Sequence, residues 1–241
     1  MELVSQGMEA FQAAVADMGL NLDESVSSAV EVWFDLCFSW RRRRVIGLRD
    51  PVDIAVKVVA DSFAIAPVLD VVPRGRAIDL GTGNSWPGTA VRLLDPLKKV
   101  TLVDSRLGAC EFMREFLKRS GLDGIEVLES RAEDAARAPE LAGKMALVTT
   151  RAMAPPGVAI EVASAFLKPE GIAALWLGPS HEGAVDSHSE IRELGLRLVR
   201  KHVYTLPFEA GRRVLAAYVR VSPPPKGYPR PLSSIKARPL L

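Results

Sequence analysis

Between Ala77 and Gly88 the chain reads Ala-Ile-Asp-Leu-Gly-Thr-Gly-Asn-Ser-Trp-Pro-Gly. A short apolar strand carrying an acid, Asp79, runs into a turn built on Gly81 and Gly83, and a helical segment follows. Glycine lets the backbone turn sharply there and lets a ligand approach it closely. The next apolar run, Lys99-Val-Thr-Leu-Val-Asp104, also ends in an acid, about 20 residues after the turn. That distance places a carboxylate at a bound ribose. The chemistry implied is nucleotide-cofactor binding. A dinucleotide fingerprint wants a third glycine for close helix–strand packing, and bulky Trp86 stands at that position. The three histidines, His181, His188 and His202, have neither triad-like nor metal-like neighbours. Their surroundings predict neither a nucleophile–base pair nor a metal site.

The elements that must hold these residues follow from hydrophobic periodicity. Residues 1–20 read as a helix with Met8, Phe11, Val15 and Met18 near one face. Asn21 and Glu24 make a capping box for a second helix carrying Val26, Val30, Trp33, Phe34 and Cys37. Asp50-Pro51 starts a third helix that stops near Pro67. Beyond Arg74 strands at 76–80, 99–104, 124–128, 145–149 and 171–177 alternate with helices near 87–95, 107–120, 156–168 and 182–195. Such alternation predicts a mostly parallel sheet covered on both faces. Two last strands, 198–206 and 213–221, have no helix between them and read as an antiparallel pair at the sheet edge. The expected division is a helical extension over 1–70, an α/β domain over 71–221, and a basic proline-rich tail over 222–241. With five prolines before Lys236, that tail is expected to form neither sheet nor helix.

Composition narrows the class further. Hydrophobic residues at 48% and charged residues at 25% suit a soluble globular protein with a real core. No apolar run reaches the roughly 18 residues that a membrane span needs, and the first residues lack a signal-peptide pattern. Cys37 and Cys110 lie in apolar helical patterns and read as free thiols in a reducing, cytoplasmic compartment. Net charge is only +2, but Arg41 to Arg44 form one basic run. After Glu209 there are seven Lys or Arg and no acid. Such runs are candidate phosphate-binding patches. The tail is expected to stay flexible until a partner orders it.

The pattern from Ile78 to Gly83 resembles the first motif of class I S-adenosylmethionine (SAM) methyltransferases. Further matches line up in order: Arg49-Asp50-Pro51, Asp61-Ser62, Pro87-Gly88, Asp104-Ser105, Ser130-Arg-Ala-Glu133, Arg151-Ala152 and Tyr228-Pro-Arg230. As a set they resemble the RsmG (GidB) family, the 16S ribosomal RNA guanine-N7 methyltransferases. The resemblance covers roughly residues 25 to 240. It implies a class I Rossmann-like fold and SAM as cofactor, with the small ribosomal subunit or its 16S RNA as partner. Gly81, Gly83 and Trp86 would line the SAM turn beside Asp79. Asp104 would hold the ribose, and Ala132 and Glu133 would border the adenine. Arg151 would stand at the mouth of the site, near cofactor and substrate, as a cofactor-binding residue and as the catalytic residue that orients the guanine. No metal, no membrane and a monomer are expected.

The chain also departs from that family. Ser85 replaces the third glycine, and Val45-Ile46-Gly47 replaces Asn-Leu-Thr before Arg49. Lys57-Val58, Ala109-Cys110 and Leu177 stand where basic or polar residues are usual. Two alternatives therefore stay open: a diverged methyltransferase acting on a small molecule or peptide, and a non-catalytic SAM-binding protein.

Overall fold

The computed structural model describes residues 2–42, 45–223 and 227–240. Arg43, Arg44 and Lys226, members of the two basic runs, lie outside the described residues. The chain opens with α1 (Glu2–Asp17) and α2 (Glu24–Ser39). The cap of α2 is Asp23, whose carboxylate accepts from the Val26 amide at 3.1 Å, not the expected Asn21. Asp50 caps α3 (Pro51–Ile54) as expected, accepting from the Asp53 amide at 2.9 Å with Pro51 in the first turn. The helical path continues as a π turn over Ala55–Ala60 and a 3-10 turn over Phe63–Ile65. Pro67 does not end it. It sits in the first turn of α4 (Ala66–Leu69), where a missing amide hydrogen costs nothing.

The sheet strands are β1 (Ala77–Leu80), β2 (Val100–Asp104), β3 (Ile125–Glu129), β4 (Met145–Arg151) and β5 (Leu167–Leu177). Three more follow: β6 (Glu190–Ile191), β7 (Leu196–Leu206) and β8 (Gly211–Arg220). Their order is β3-β2-β1-β4-β5-β8-β7-β6. The first five are parallel, and β8 and β7 close the edge antiparallel, as the absence of an intervening helix predicted. Helices α5 (Gly88–Leu94), α6 (Leu107–Ser120), α7 (Ala132–Ala135) and α8 (Pro156–Ser164) connect the parallel strands. The helix expected over 182–195 is short, α9 (Glu182–Ser187), because β6 and a 3-10 turn at Arg192–Leu194 take the rest.

Alternate residues of each strand enter opposite cores, as the pleat requires. Leu147, Ile172, Ala174 and Trp176 pack with α1, α2, α5 and α6. Val148, Ala173, Leu175 and Leu177 pack with α8 and the edge strands. Phe11, Trp33, Phe34 and Phe63 belong to the first core, so the N-terminal helices share it with the sheet.

The tail differs from expectation. Residues Leu232–Ala237 form a helix, α10, and its Ile235 is buried in the second core. The prolines precede this segment, and Pro231 only sets its start.

Candidate functional site

Strands β1 and β2 each carry a buried acid near the carboxyl end, Asp79 and Asp104. At the end of β1, Asp79 accepts from the Thr149 hydroxyl at 2.7 Å and from the Gly88 amide at 3.0 Å. It ties β1 to β4 and to the start of α5. Burial pushes its carboxyl up from 3.8 to about 6, against the pull of Thr149 and Gly88. Gly88 has no room for a side chain, because a Cβ there would meet Leu102 at 2.3 Å and Asp79 at 2.8 Å.

Gly81 and Gly83 take φ of +67° and +60°, so the turn requires glycine at both. The close approach that the sequence suggested for a ligand is made here by protein. A Cβ on Gly81 would lie 2.7 Å from the Met153 side chain, and one on Gly83 would lie 3.0 Å from the Arg106 guanidinium. Ser85, the serine at the third glycine position, also has positive φ, +83°. That conformation is strained for a residue with a side chain.

Asp104 closes β2. Its Oδ2 accepts from the Gly83 amide at 2.9 Å and from Arg106 Nη2 at 3.3 Å. Its Oδ1 accepts from the Arg106 amide at 2.9 Å and from Nε at 3.1 Å. The Arg106 side chain is 60% exposed, whereas that of Asp104 is 6% exposed. The arginine thus lies on the solvent side of the pair and the carboxylate on its buried side.

A cavity of about 710 Å³ opens over these strand ends, the size of a small-molecule site. Gly81, Asp104, Ala132 and Glu133 line it. Asp79 and Gly83 stand behind the wall and hold the turn. Trp86 faces the other way: it is 2% exposed and packs on Phe63 at 5.8 Å and Trp33 at 6.0 Å, in the core. Sequence reasoning missed Arg106 and Met153, and the tail residues Leu232 and Lys236, all on the cavity wall.

Arg151 lines a second cavity, of about 270 Å³, between the ends of β4 and β5 and strand β8. The two cavities meet at Ala152 and Ala154. Arg151 Nη1 donates to Asp61 Oδ2 and to the Val58 carbonyl, each at 3.0 Å. Its partner is Asp61, not Asp79 or Asp104. Asp61 is itself buried, and its Oδ1 accepts from the Tyr204 hydroxyl at 2.6 Å. Burial foremost, with the adjacent Asp61 carboxylate, raises the Tyr204 hydroxyl well above the usual phenol range. The Trp176 indole donates to the Asp61 carbonyl at 2.9 Å. Arg213 and His181 complete the opening. Among the described residues no cluster of three His, Cys, Asp or Glu could hold a metal, and no helix is long and apolar enough to cross a membrane.

A cofactor-sized cavity beside a smaller cavity, at the carboxyl ends of parallel strands, is the usual place for ligands in such sheets. Comparison with known proteins agrees on the fold. The chain superposes on the 16S rRNA (adenine(1408)-N(1))-methyltransferase of Catenulisporales acidiphilia with a TM-score of 0.50, at 15% identity, over 68% of this chain and 94% of that one. Among curated relatives, the ribosomal RNA small subunit methyltransferase G of Desulforamulus reducens is 30% identical over 219 residues, 90% of this chain and 91% of the relative. That of Symbiobacterium thermophilum is 30% identical over 226 residues, 91% of this chain and 92% of the relative. The family model for GidB, rRNA small subunit methyltransferase G, matches residues 31–202, and the chain belongs to that family.

Proposed function

We propose that this protein transfers a methyl group from SAM to N7 of a guanine in small-subunit (16S) ribosomal RNA. The observation that carries the reading is the junction of two cavities at Ala152 and Ala154, one holding the Asp104 carboxylate and the other the Arg151–Asp61 pair. Asp104 fits the ribose hydroxyls of SAM once Arg106 swings aside. Ala132 and Glu133 fit the adenine side, and Gly81 and Met153 face the methionine side. When bound, SAM supplies an activated methyl group.

Guanine N7 carries a free lone pair and no proton, so the reaction needs no general base. It needs alignment and exclusion of water. The smaller cavity offers both, with Trp176 and Leu177 as apolar wall and Arg151 as donor. Arginine is shaped to meet the guanine O6 and N7 edge. N7 must stay free to react, and the methylated ring is cationic. Arg151 therefore serves best through O6, with its charge offset by Asp61 at 3.0 Å. The base must leave its stack to enter.

The basic position lost at Leu177 has a counterpart across the strand pair. Leu177 faces Val214, and the neighbouring Arg213 lines the same cavity. This favours an RNA substrate over a small molecule or peptide. In this reading residues 1–70 are a helical extension, 71–221 the methyltransferase domain, and the protein is a cytoplasmic monomer. The deciding experiment incubates the protein and SAM with deproteinised 16S RNA and with assembled small subunits, then maps N7-methylguanine by mass spectrometry. Methylation of one guanine in either substrate supports the reading. Methylation of neither, by protein that binds SAM, overturns it.

A further inference from the structure

The basic tail is docked, and its docking reaches the larger cavity. Glu161 of α8 is fully buried, and its carboxylate is met by Arg230 alone among the described residues. The Arg230 amide donates to Oε1 at 2.8 Å. Nε donates to Oε1 and Oε2 at 3.0 and 3.2 Å, and Nη2 donates to Oε2 at 2.6 Å. Such forked, charge-assisted contact fixes geometry as well as charge. The same Nη2 donates to the Arg238 carbonyl at 2.9 Å, beyond the far end of α10. One guanidinium thus ties both flanks of the tail helix to α8, the helix whose Val158 lines the cavity.

On the helix so held, Ile235 enters the core while Leu232 and Lys236 join the cavity wall. They do so on the side of Glu133. A further space of about 230 Å³ lies under this segment, bordered by Glu133, Val162 and Leu232. The helix is therefore anchored by Arg230 and Ile235 without being closely packed against α7.

We propose that α10 is the adenine-side wall of the cofactor site, with Leu232 packing on the adenine and Arg230–Glu161 as the anchor that holds it there. The tail is then a strap over the cofactor. The proposal rests on the reading that SAM occupies the larger cavity.

The test uses the full-length protein and S-adenosylhomocysteine as a non-reacting probe, by calorimetric titration and by amide hydrogen exchange. In the wild type, ligand should slow exchange across residues 232–237. Leu232→Ala should weaken binding by about five- to tenfold through lost apolar contact, mainly by faster release. Its thermal midpoint should stay nearly unchanged, because Leu232 is only half-buried. Arg230→Lys should weaken binding less than Arg230→Met, since a point charge replaces part of the fork. Unchanged affinity in folded Leu232→Ala, with no protection of 232–237, overturns the strap and leaves the cofactor reading standing. A wild-type protein that fails to bind the probe overturns both.

Discussion

Two acids at adjacent strand ends do different work. Asp79 is enclosed, and its raised carboxyl means that the folded protein holds this proton more tightly than the unfolded chain does. Stability from this group is complete below about pH 3.8 and is lost as pH rises through about 6. Asparagine can accept from Gly88 and donate to Thr149 without a charge. Asp79→Asn should therefore keep or raise the thermal midpoint at pH 8 and flatten its change between pH 4 and 6, as a calorimetric pH series would show. Asp104 offers its carboxylate to the cavity. Asp104→Ala should weaken SAM binding by about 1.5–3 kcal/mol, the scale of hydrogen bonds to a charged group. Arg106 competes for the same oxygens from an exposed position. Arg106→Ala should tighten SAM binding by up to about fivefold, since exposed ion pairs are weak. Looser binding in that variant would mean that Arg106 is a ligand contact and not a competitor.

At the scale of elements, the Arg151–Asp61 pair joins the end of β4 to the helical segment before β1, and Tyr204 adds β7. Arg151→Ala leaves a buried carboxylate without its cation, a loss of about 3 kcal/mol in stability, and it should also lower turnover. Pairing Arg151→Met with Asp61→Asn removes both charges and should recover most of that stability. Turnover should stay low, because no donor then meets the base. Denaturant melts beside initial-rate methylation assays separate the two effects. Recovered turnover in the paired variant would make Arg151 a strut only.

At the scale of the whole molecule, strand β8 brings a second cation, Arg213, to the cavity that Arg151 of β4 lines. Arg213 stands at the smaller cavity, where its guanidinium bonds the Arg212 carbonyl at 3.0 Å. Binding of 16S RNA should weaken steeply with salt, and Arg213→Ala should lower the slope of log affinity against log salt by about 1. Binding titrations at four or five salt concentrations measure this. An unchanged slope would remove Arg213 from the RNA-facing surface.

The sequence by itself determined the alternation of strands and helices, the antiparallel edge, the glycine turn with Asp104 after it, and the Asp50 cap. These are local patterns: period-two and helical burial, positive φ at a glycine, a carboxylate three residues from an amide. Only the tertiary structure decided what each side chain faces. Trp86 follows the turn in sequence and yet enters the core, since a large apolar ring gains more against Trp33 and Phe63 than at a polar wall. Asp61 and Arg151 are 90 residues apart, and no spacing rule joins them. The six residues of α10 are too few to hold a helix alone. They do so because Glu161, buried on α8, needs a cation, and Arg230 brings the tail to it.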